Sequence, residues 1–564
     1  MKNSTFLSEG LLTKLLLLVA GFLLCASIFA QTSTWQWANK IGGTVDDNAY
    51  GVAVDANGNV AVAGYFGSPT LVIGTTTLTN MGTNTEDVFV AKYDASGNML
   101  WARSVGGTGL EESRAITTDP NGNVLVTGMF DSPTLVVGTT TLTNSAPGYY
   151  DVFVVKYDGN GNVLWARNEG GKYGEIGYSI ASDANNDVIV AGYYDSDTLN
   201  IGSSQLINSG ADEEVFVFKY DANGNALWAN TAGGSLDEYA HGVRTDAWGN
   251  IYMAGFFASD TISFGATQLI NDSAGSYDLY LAKYNAGGNL LWARSAGAAG
   301  SEIAEGVAVD ASGSAFITGY YTSSSMTIGT STLTNTGSSA DMYIAKYDAN
   351  GNPLWASSPG GAAPDAGGMA IATDADGNAY VTGFFKSSAI TFGTSTYVNA
   401  DSTYADMFLA QYDANGNALQ ATTVGCAYDV RGESVCVDAS GSPIVSGFYQ
   451  MASTTFGSFT LNNSGFFDAF VAKLSSTMSV SGLVGESSFI AYPIPCYEIL
   501  NVETTEFGGE PFTIQLTNSL GQIMLRETSL QPISSVKTDR LARGIYFVTL
   551  RQNEKVRTMK ILKE

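Results

Sequence analysis

The chain repeats itself. An LWA tripeptide places Trp101, Trp165, Trp228, Trp292 and Trp355 at intervals of 64, 63, 64 and 63 residues. Trp37 precedes them by 64, and a further 65 reaches Gln420, where the motif continues without its Trp. A fixed period of this length means one supersecondary unit copied and stacked. Each copy reads GVAVD, a DANGN turn, NVAVAGYF, an inserted TLVIGTTTLTN, DVFVAKYD, a second turn of DASGN type, and NMLWARSVGG. Apolar residues alternate with period two, Val, Ile, Phe and Tyr abound, and the turns carry Asn-Gly or Ser-Gly. These are antiparallel strands joined by tight hairpins, four core strands to a unit.

Counting the strands predicts how the unit array ends. The GVAVD-type strand occurs seven times, closing at Asp55, Asp119, Asp183, Asp246, Asp310, Asp374 and Asp438, and the DVFVAKYD-type strand also occurs seven times. The LWA-type strand has a copy, Trp35 to Lys40, ahead of everything, and none in the last unit after Lys473. A ring resolves the mismatch, with the N-terminal strand completing the last sheet and no open edge left over. The expectation is an all-β chain: a seven-bladed β-propeller over residues 31–476.

The 564 residues carry a formal net charge of −27, which excludes a partner such as nucleic acid, whose binding needs clustered Lys and Arg. A single His, His241, excludes mechanisms that need two and is read as structural or solvated. Residues 1–30 read as a signal peptide: Lys2 and Lys14, an apolar run from Leu15 to Phe29, then the small Ala30. A lipoprotein anchor at Cys25 is disfavoured by Leu24 before it. No later segment approaches the ~20 apolar residues of a membrane helix, so no membrane span is expected in the mature protein, which is read as a monomer. Cys426, Cys436 and Cys496 are too few for a disulfide framework, and Cys426 and Cys436 could pair or remain two small thiols.

The period stops after Ser476. Residues 477–488 read as a linker, and charge marks the boundary: residues 31–480 hold 15 basic and 43 acidic side chains, residues 481–564 nine of each. The runs LNVET, FTIQLTN, QIMLRET, GIYFVTL and VRTMKILK within 489–564 predict a small C-terminal β-sandwich.

The repeats resemble the SBBP-type β-propeller repeat of bacterial secreted proteins, with units of the form VDANGNVYVAG followed by D-F-AKYDANG. This covers about residues 35–476. The extra hairpin in each unit and the missing Trp at Gln420 depart from it. The C-terminal module resembles the type A sorting domain of the type IX secretion system of Bacteroidota. The matching pieces are Tyr492-Pro493-Ile494-Pro495, Leu500-Asn501-Val502, Ser519-Leu520-Gly521-Gln522, Leu541 to Tyr546, and Lys560 to Lys563; Ile494 and Ser519 stand where Asn and Asp are usual. The resemblance implies export, recognition by the type IX secretion machinery, removal of the module, and release or tethering at the outer-membrane surface of a Gram-negative cell.

Two sets of repeated residues are candidate sites. Acids precede every first strand, at Asp47, Glu111, Glu175, Glu238, Glu302, Asp365 and Asp429. They are read either as carboxylates accepting loop N–H groups or as a Ca2+ site at the channel mouth, with no other cofactor expected. The second strand ends in a pair of large residues whose first members, Tyr65, Tyr193, Phe256, Tyr320, Phe384 and Phe448, are read as core or as stacking surfaces for sugar rings. DANGN is hairpin chemistry, since its Gly comes fourth where a calcium loop needs it sixth. No repeat stands out as a catalytic outlier. The expected function is that of an exported, non-enzymatic binding or adhesion module for an extracellular glycan, polymer or protein ligand. The alternatives are a carboxylate-dependent glycoside hydrolase or lyase, with Glu111 and Glu175 as its acids, and a purely structural envelope component.

Overall fold

The computed structural model of the chain describes residues 34–563 apart from 211, 336, 338, 360–365, 400, 477–488, 493–495, 505–510, 519–522, 532 and 553–554. The expected signal peptide and linker lie outside the described residues. The chain divides into two compact units, Met1–Ser476 and Thr477–Glu564.

The opening strands set the pattern of the first unit: β1 (Trp35–Ile41), β2 (Asp47–Val54), β3 (Val60–Phe66), β4 (Thr70–Ile73), β5 (Thr76–Thr79), β6 (Asp87–Tyr93) and β7 (Met99–Val105). Strands β2, β3, β6 and β7 form an antiparallel sheet in that order, and the TLVIGTTTLTN insert is the separate hairpin β4–β5. Among the described residues of this unit there are seven such four-stranded sheets and seven such hairpins. They are consistent with propeller blades. The middle strands β3 and β6 are buried at every position, because each sheet is covered on both faces.

One sheet is built from both ends of the unit. β1 pairs antiparallel with Phe467–Leu474, matching Trp37 to Lys473 and Ile41 to Ala469, and that strand continues to Pro443–Gln450 and Val430–Val437. The first strands also touch in succession. β2 packs on Glu111–Thr118, and the series runs through Glu175–Ser182, Glu238–Thr245, Glu302–Val309 and Ala366–Thr373 to Val430–Val437, which packs back on β2.

The repeated Trp fastens one sheet to the next. Trp101 Nε1 donates to Gly159 O at 3.0 Å, and Trp165 Nε1 to Ala222 O at 3.1 Å, each reaching the second turn of the following repeat. A Cβ on Gly161 or Gly224 would lie 2.7 or 2.8 Å from the indole, so only glycine lets the ring lie flat on that turn. Trp37 holds Ala95 O in the same way across the sheet joined by the chain ends. This accounts for Gln420. The strand it occupies precedes the sheet whose fourth strand is β1, so the turn a Trp would clasp does not exist there, and Gln420 instead donates to Gln411 Oε1 at 2.8 Å.

The DANGN turns are closed by their own Asp: Asp55 Oδ1 accepts from the N–H groups of Asn57 and Asn59, and Gly58 takes φ +80. The other carboxylate oxygen holds a buried lysine, Lys92 at 2.9 Å, and the pair recurs as Lys156–Asp119, Lys219–Asp183, Lys283–Asp246, Lys346–Asp310 and Lys473–Asp438. In the remaining repeat Gln411 replaces the lysine and donates to Tyr380 OH, which donates to Asp374. Cys426, Cys436 and Cys496 are free thiols, so the open pairing of the first two resolves to none.

The second unit contains a three-stranded sheet, Phe489–Tyr492, Ile499–Thr504 and Ile533–Lys537, and a four-stranded sheet, Ile523–Ser529, Phe512–Asn518, Gly544–Gln552 and Lys555–Lys563. Leu500, Val502 and Val536 of one sheet and Ile514, Leu516 and Val548 of the other share a buried cluster. Of the motif residues, Pro493 to Pro495 and Ser519 to Gln522 lie outside the described residues.

The clasp makes two expectations for the first unit. Trp165→Ala should lower its stability by about 3–5 kcal/mol, because a buried indole and its hydrogen bond are removed. Gln420→Trp should give no gain, since no turn awaits the ring. Denaturant melts of the three proteins check both, and an unchanged Trp165→Ala midpoint would contradict the packing.

Candidate functional site

Each first strand breaks its ladder at one residue. β2 shifts register between Ala49 and Gly51, and the equivalent shifts leave Arg114, Tyr178, His241, Glu305, Met369 and Glu433 as extra residues beside Tyr50. A β-bulge re-aims the side chain it inserts. The facing strand makes room for it: a Cβ on Gly64 would sit 1.8 Å from Asn48 O, and Gly128, Gly192, Gly255, Gly319, Gly383 and Gly447 meet the equivalent carbonyl. The seven bulge residues line one cavity of about 320 Å³, together with Ser179, Arg244 and Ser434.

The lining is polarised. Tyr50, Arg114, Tyr178 and His241 follow one another around one side, and Glu305, Met369 and Glu433 around the other. The Arg114 guanidinium stands 5.1 Å from the Tyr50 ring and 5.7 Å from Tyr178, and pairs with Glu112 at 2.8 Å. His241 stacks 4.6 Å from Tyr178, and its Nδ1 lies 2.6 Å from Glu305 Oε2. His241 therefore lines the cavity. Glu433 is half-buried on the cavity wall, and burial pushes its carboxyl up to about 7 against the pull of Arg431 and Arg114.

The aromatic pairs divide between two roles. The second members, Phe66, Phe130, Tyr194, Phe257, Tyr321, Phe385 and Tyr449, are fully buried. The first members reach the cavity residues: Tyr65 lies 5.8 Å from Tyr50, Tyr193 5.9 Å from Tyr178, and Phe256 5.0 Å from His241. Phe384 and Phe448 flank the Arg431 guanidinium, at 4.4 and 5.9 Å. Tyr193, Tyr320, Phe384 and Phe448 keep part of their rings exposed. Two carboxyl pairs accompany these rings. Glu86 is pushed up to about 7 by burial and by Glu112, and Glu213 to about 7 by burial and by Asp237.

The seven acids expected at the channel mouth are arranged differently. Asp47, Glu111, Glu175, Glu238 and Glu302 are fully buried, Asp429 is half-buried, and Asp365 lies outside the described residues. The first five accept an N–H from four residues upstream, as Gly107 N to Glu111 and Gly234 N to Glu238, both at 2.9 Å. Ser68, Ser132 and Ser323 hydroxyls bind Asp47, Glu111 and Glu302. Each is also near an acid of the preceding sheet, Glu111 near Asp87 and Glu175 near Asp151. Gly106 exists to admit that second carboxylate, which lies 2.2 Å from where its Cβ would be. The acids therefore lock loops between neighbouring sheets. Among the described residues no group of three or more His, Cys, Asp or Glu side chains is arranged to hold a metal ion. Glu111 and Glu175 have no exposed surface.

Comparison with known proteins identifies the end of the chain. Residues 490–564 match the family described as Secretion system C-terminal sorting domain. The chain carries a secretion sorting signal at that end. Over 87% of its length it is 26% identical to the Uncharacterized WD repeat-containing protein L264 of Acanthamoeba polyphaga mimivirus, spanning 42% of that protein. It is 29% identical over 35% of its length to the Regulatory protein FlaEY of Caulobacter vibrioides, spanning 20% of it. The chain thus covers less than half of either relative. Among solved structures it is similar to PorZ, a bacterial surface component of the type IX secretion system of Porphyromonas gingivalis. That match has 12% identity and a TM-score of 0.24, covering 93% of this chain and 75% of that one. Among the described residues no helix is long and apolar enough to cross a membrane.

The interlocking acids predict a pH dependence. Burial raises Asp47, Glu111 and Glu175 to about 7 and Glu238 to about 8. Oδ1 of Asp47, Asp151 and Asp278 has no hydrogen-bond donor, leaving a place for a proton. A carboxyl held above its unfolded value binds protons more tightly when folded. Its stabilising effect is present below the unfolded value near 4 and is lost as pH rises through 7 to 8. The lowered Asp55, Asp310 and Asp438 act oppositely, and their contribution is lost only as pH falls below about 4. The first unit should therefore melt several degrees higher at pH 5 than at pH 8. Glu238→Gln should narrow that difference, which separates the local effect from general charge repulsion; calorimetry at the two pH values measures both.

Proposed function

We propose that the chain is an exported seven-bladed β-propeller followed by a β-sandwich sorting domain, and that the propeller binds glycan at its central cavity without catalysis. The supporting observation is the division of labour within the repeat. The turn Asp and the Gly facing the bulge recur in every copy, while the bulged position, which lines the cavity, is Tyr, Arg, Tyr, His, Glu, Met and Glu in turn. A position that packed the scaffold would be held to one type of residue. Seven different side chains aimed at one space make a surface for a ligand with distinct groups on its different sides. Tyr65, Tyr193, Phe256, Tyr320, Phe384 and Phe448 add flat apolar faces beside polar groups, which suits the alternating C–H and hydroxyl surfaces of a sugar ring.

The sorting domain supports export through the type IX secretion system of a Bacteroidota-type cell, with the propeller released or held at the cell surface. A strongly acidic, four-strand repeat unit with few thiols suits that exterior. A protein ligand is the other outcome of the binding test. Ca2+ remains as a proposal for calorimetric titration, with no cluster of described side chains arranged to hold it.

A glycan array probed with the secreted protein should give binding that Tyr193→Ala weakens at least about tenfold, or roughly 1.4 kcal/mol. No binding to any saccharide, with a protein captured instead from the cell's surroundings, would overturn the glycan reading. Mass mapping of both ends of the mature protein should find it outside the cell, starting after Ala30 and lacking Glu564.

A further inference from the structure

We propose that the central cavity takes a saccharide bearing a free primary ammonium group, an amino sugar without its acetyl group, with the ammonium seated on the Glu305–Met369–Glu433 side. This deepens the glycan reading and rests on it. Several charges of the cavity already have partners. Arg114 is paired with Glu112 and lies between two tyrosine rings, and His241 takes one oxygen of Glu305. Glu433 has no hydrogen-bond partner among the described residues, although its neighbour Arg431 lies 3.3 Å from Asp429 and over Phe384.

Among the groups that act on Glu433 none is an unengaged cation, while Arg244, elsewhere on the cavity wall and toward Cys436, has no acid partner among the described residues. Tyr50 on one adjoining strand is neutral, Met369 on the other carries no charge, Glu305 beyond it repels, and Arg114 and Arg431 are engaged elsewhere. A carboxyl in this setting lacks a cation, and a ligand can supply one. Met369, which follows Glu305 and precedes Glu433 around the lining, is uncharged and pliable. An ammonium offers three N–H donors, enough for Glu433, the second oxygen of Glu305 and Ser434. The Tyr50 ring adjoins this side and can take the apolar face of the same sugar. The surrounding first unit, with its large excess of acids, and the pairs Glu86–Glu112 and Glu213–Asp237, draw a cation toward the cavity and repel an anionic sugar.

The test compares tetramers of glucosamine and of N-acetylglucosamine, with a neutral glucose tetramer as reference, by calorimetry on the folded full-length chain at pH 6.5. The glucosamine tetramer should bind at least about tenfold tighter than the acetylated one. Glu433→Gln should remove that preference, with an unchanged far-ultraviolet circular dichroism spectrum showing the variant folded. Met369→Lys, which places a cation between the two acids, should exclude the glucosamine tetramer and raise the melting temperature. Equal binding of the two amino-sugar tetramers overturns the proposal and leaves the glycan reading standing. A preference that survives both substitutions places the cation elsewhere and also overturns it. Binding of no tetramer at all removes the glycan reading with it.

Discussion

The fold depends on one strand pairing that joins residues more than four hundred positions apart. β1 supplies the fourth strand of the sheet begun by Val430–Val437, so the backbone groups that would have formed two open edges satisfy each other. Everything else in the first unit is local, since each repeat makes its own sheet and touches only its neighbours. Without this pairing the units would be a stack with exposed ends. With it, the first strands meet in an unbroken series and the space they enclose becomes a cavity. Trp37 shows the joint at work: it sits on the first strand of the chain and clasps Ala95 and Gly97 of the first full repeat from within the last sheet.

The scaffold was legible in the sequence because its demands recur. Strand alternation, Asn-Gly turns and the Trp spacing each appear in every copy, so sheet number and strand order followed from counting, and even the displaced first LWA-type strand marked where the ends meet. The missing Trp at Gln420 was visible as a departure, but its cause was not. It follows from the absence of a turn, which is a property of the closed sheet and not of residue 420.

The cavity was much less legible. A bulge inserts a single residue into a strand whose other positions alternate as usual, so Tyr50, Arg114, Tyr178, His241, Glu305, Met369 and Glu433 look like ordinary outward positions when read with period two. The available signal lay on the partner strand, in the glycine of AGYF, TGMF and their relatives, which interrupts an otherwise apolar strand at the same place in every copy. Aligning the repeats on that glycine brings the seven bulge residues into register. The recurring acids illustrate the opposite error. Their regularity suggested a ring with a common ligand, but in register the acid stands in five repeats, with Ala366 and Val430 in its place in the other two, and where it stands it locks a loop to the preceding sheet.

This gives the architecture a consistent logic. Residues that hold the sheets together are bound to be alike in every unit, because each contacts the equivalent residues of the next: Trp on Gly, Asp with Lys, acid beside acid. The bulge residues meet one another along the cavity wall, as Arg114 meets Tyr50 and Tyr178 and His241 meets Tyr178 and Glu305, and those partners differ from one repeat to the next. A polarised lining, aromatic and cationic on one side and acidic on the other, is thus built on a nearly symmetric frame.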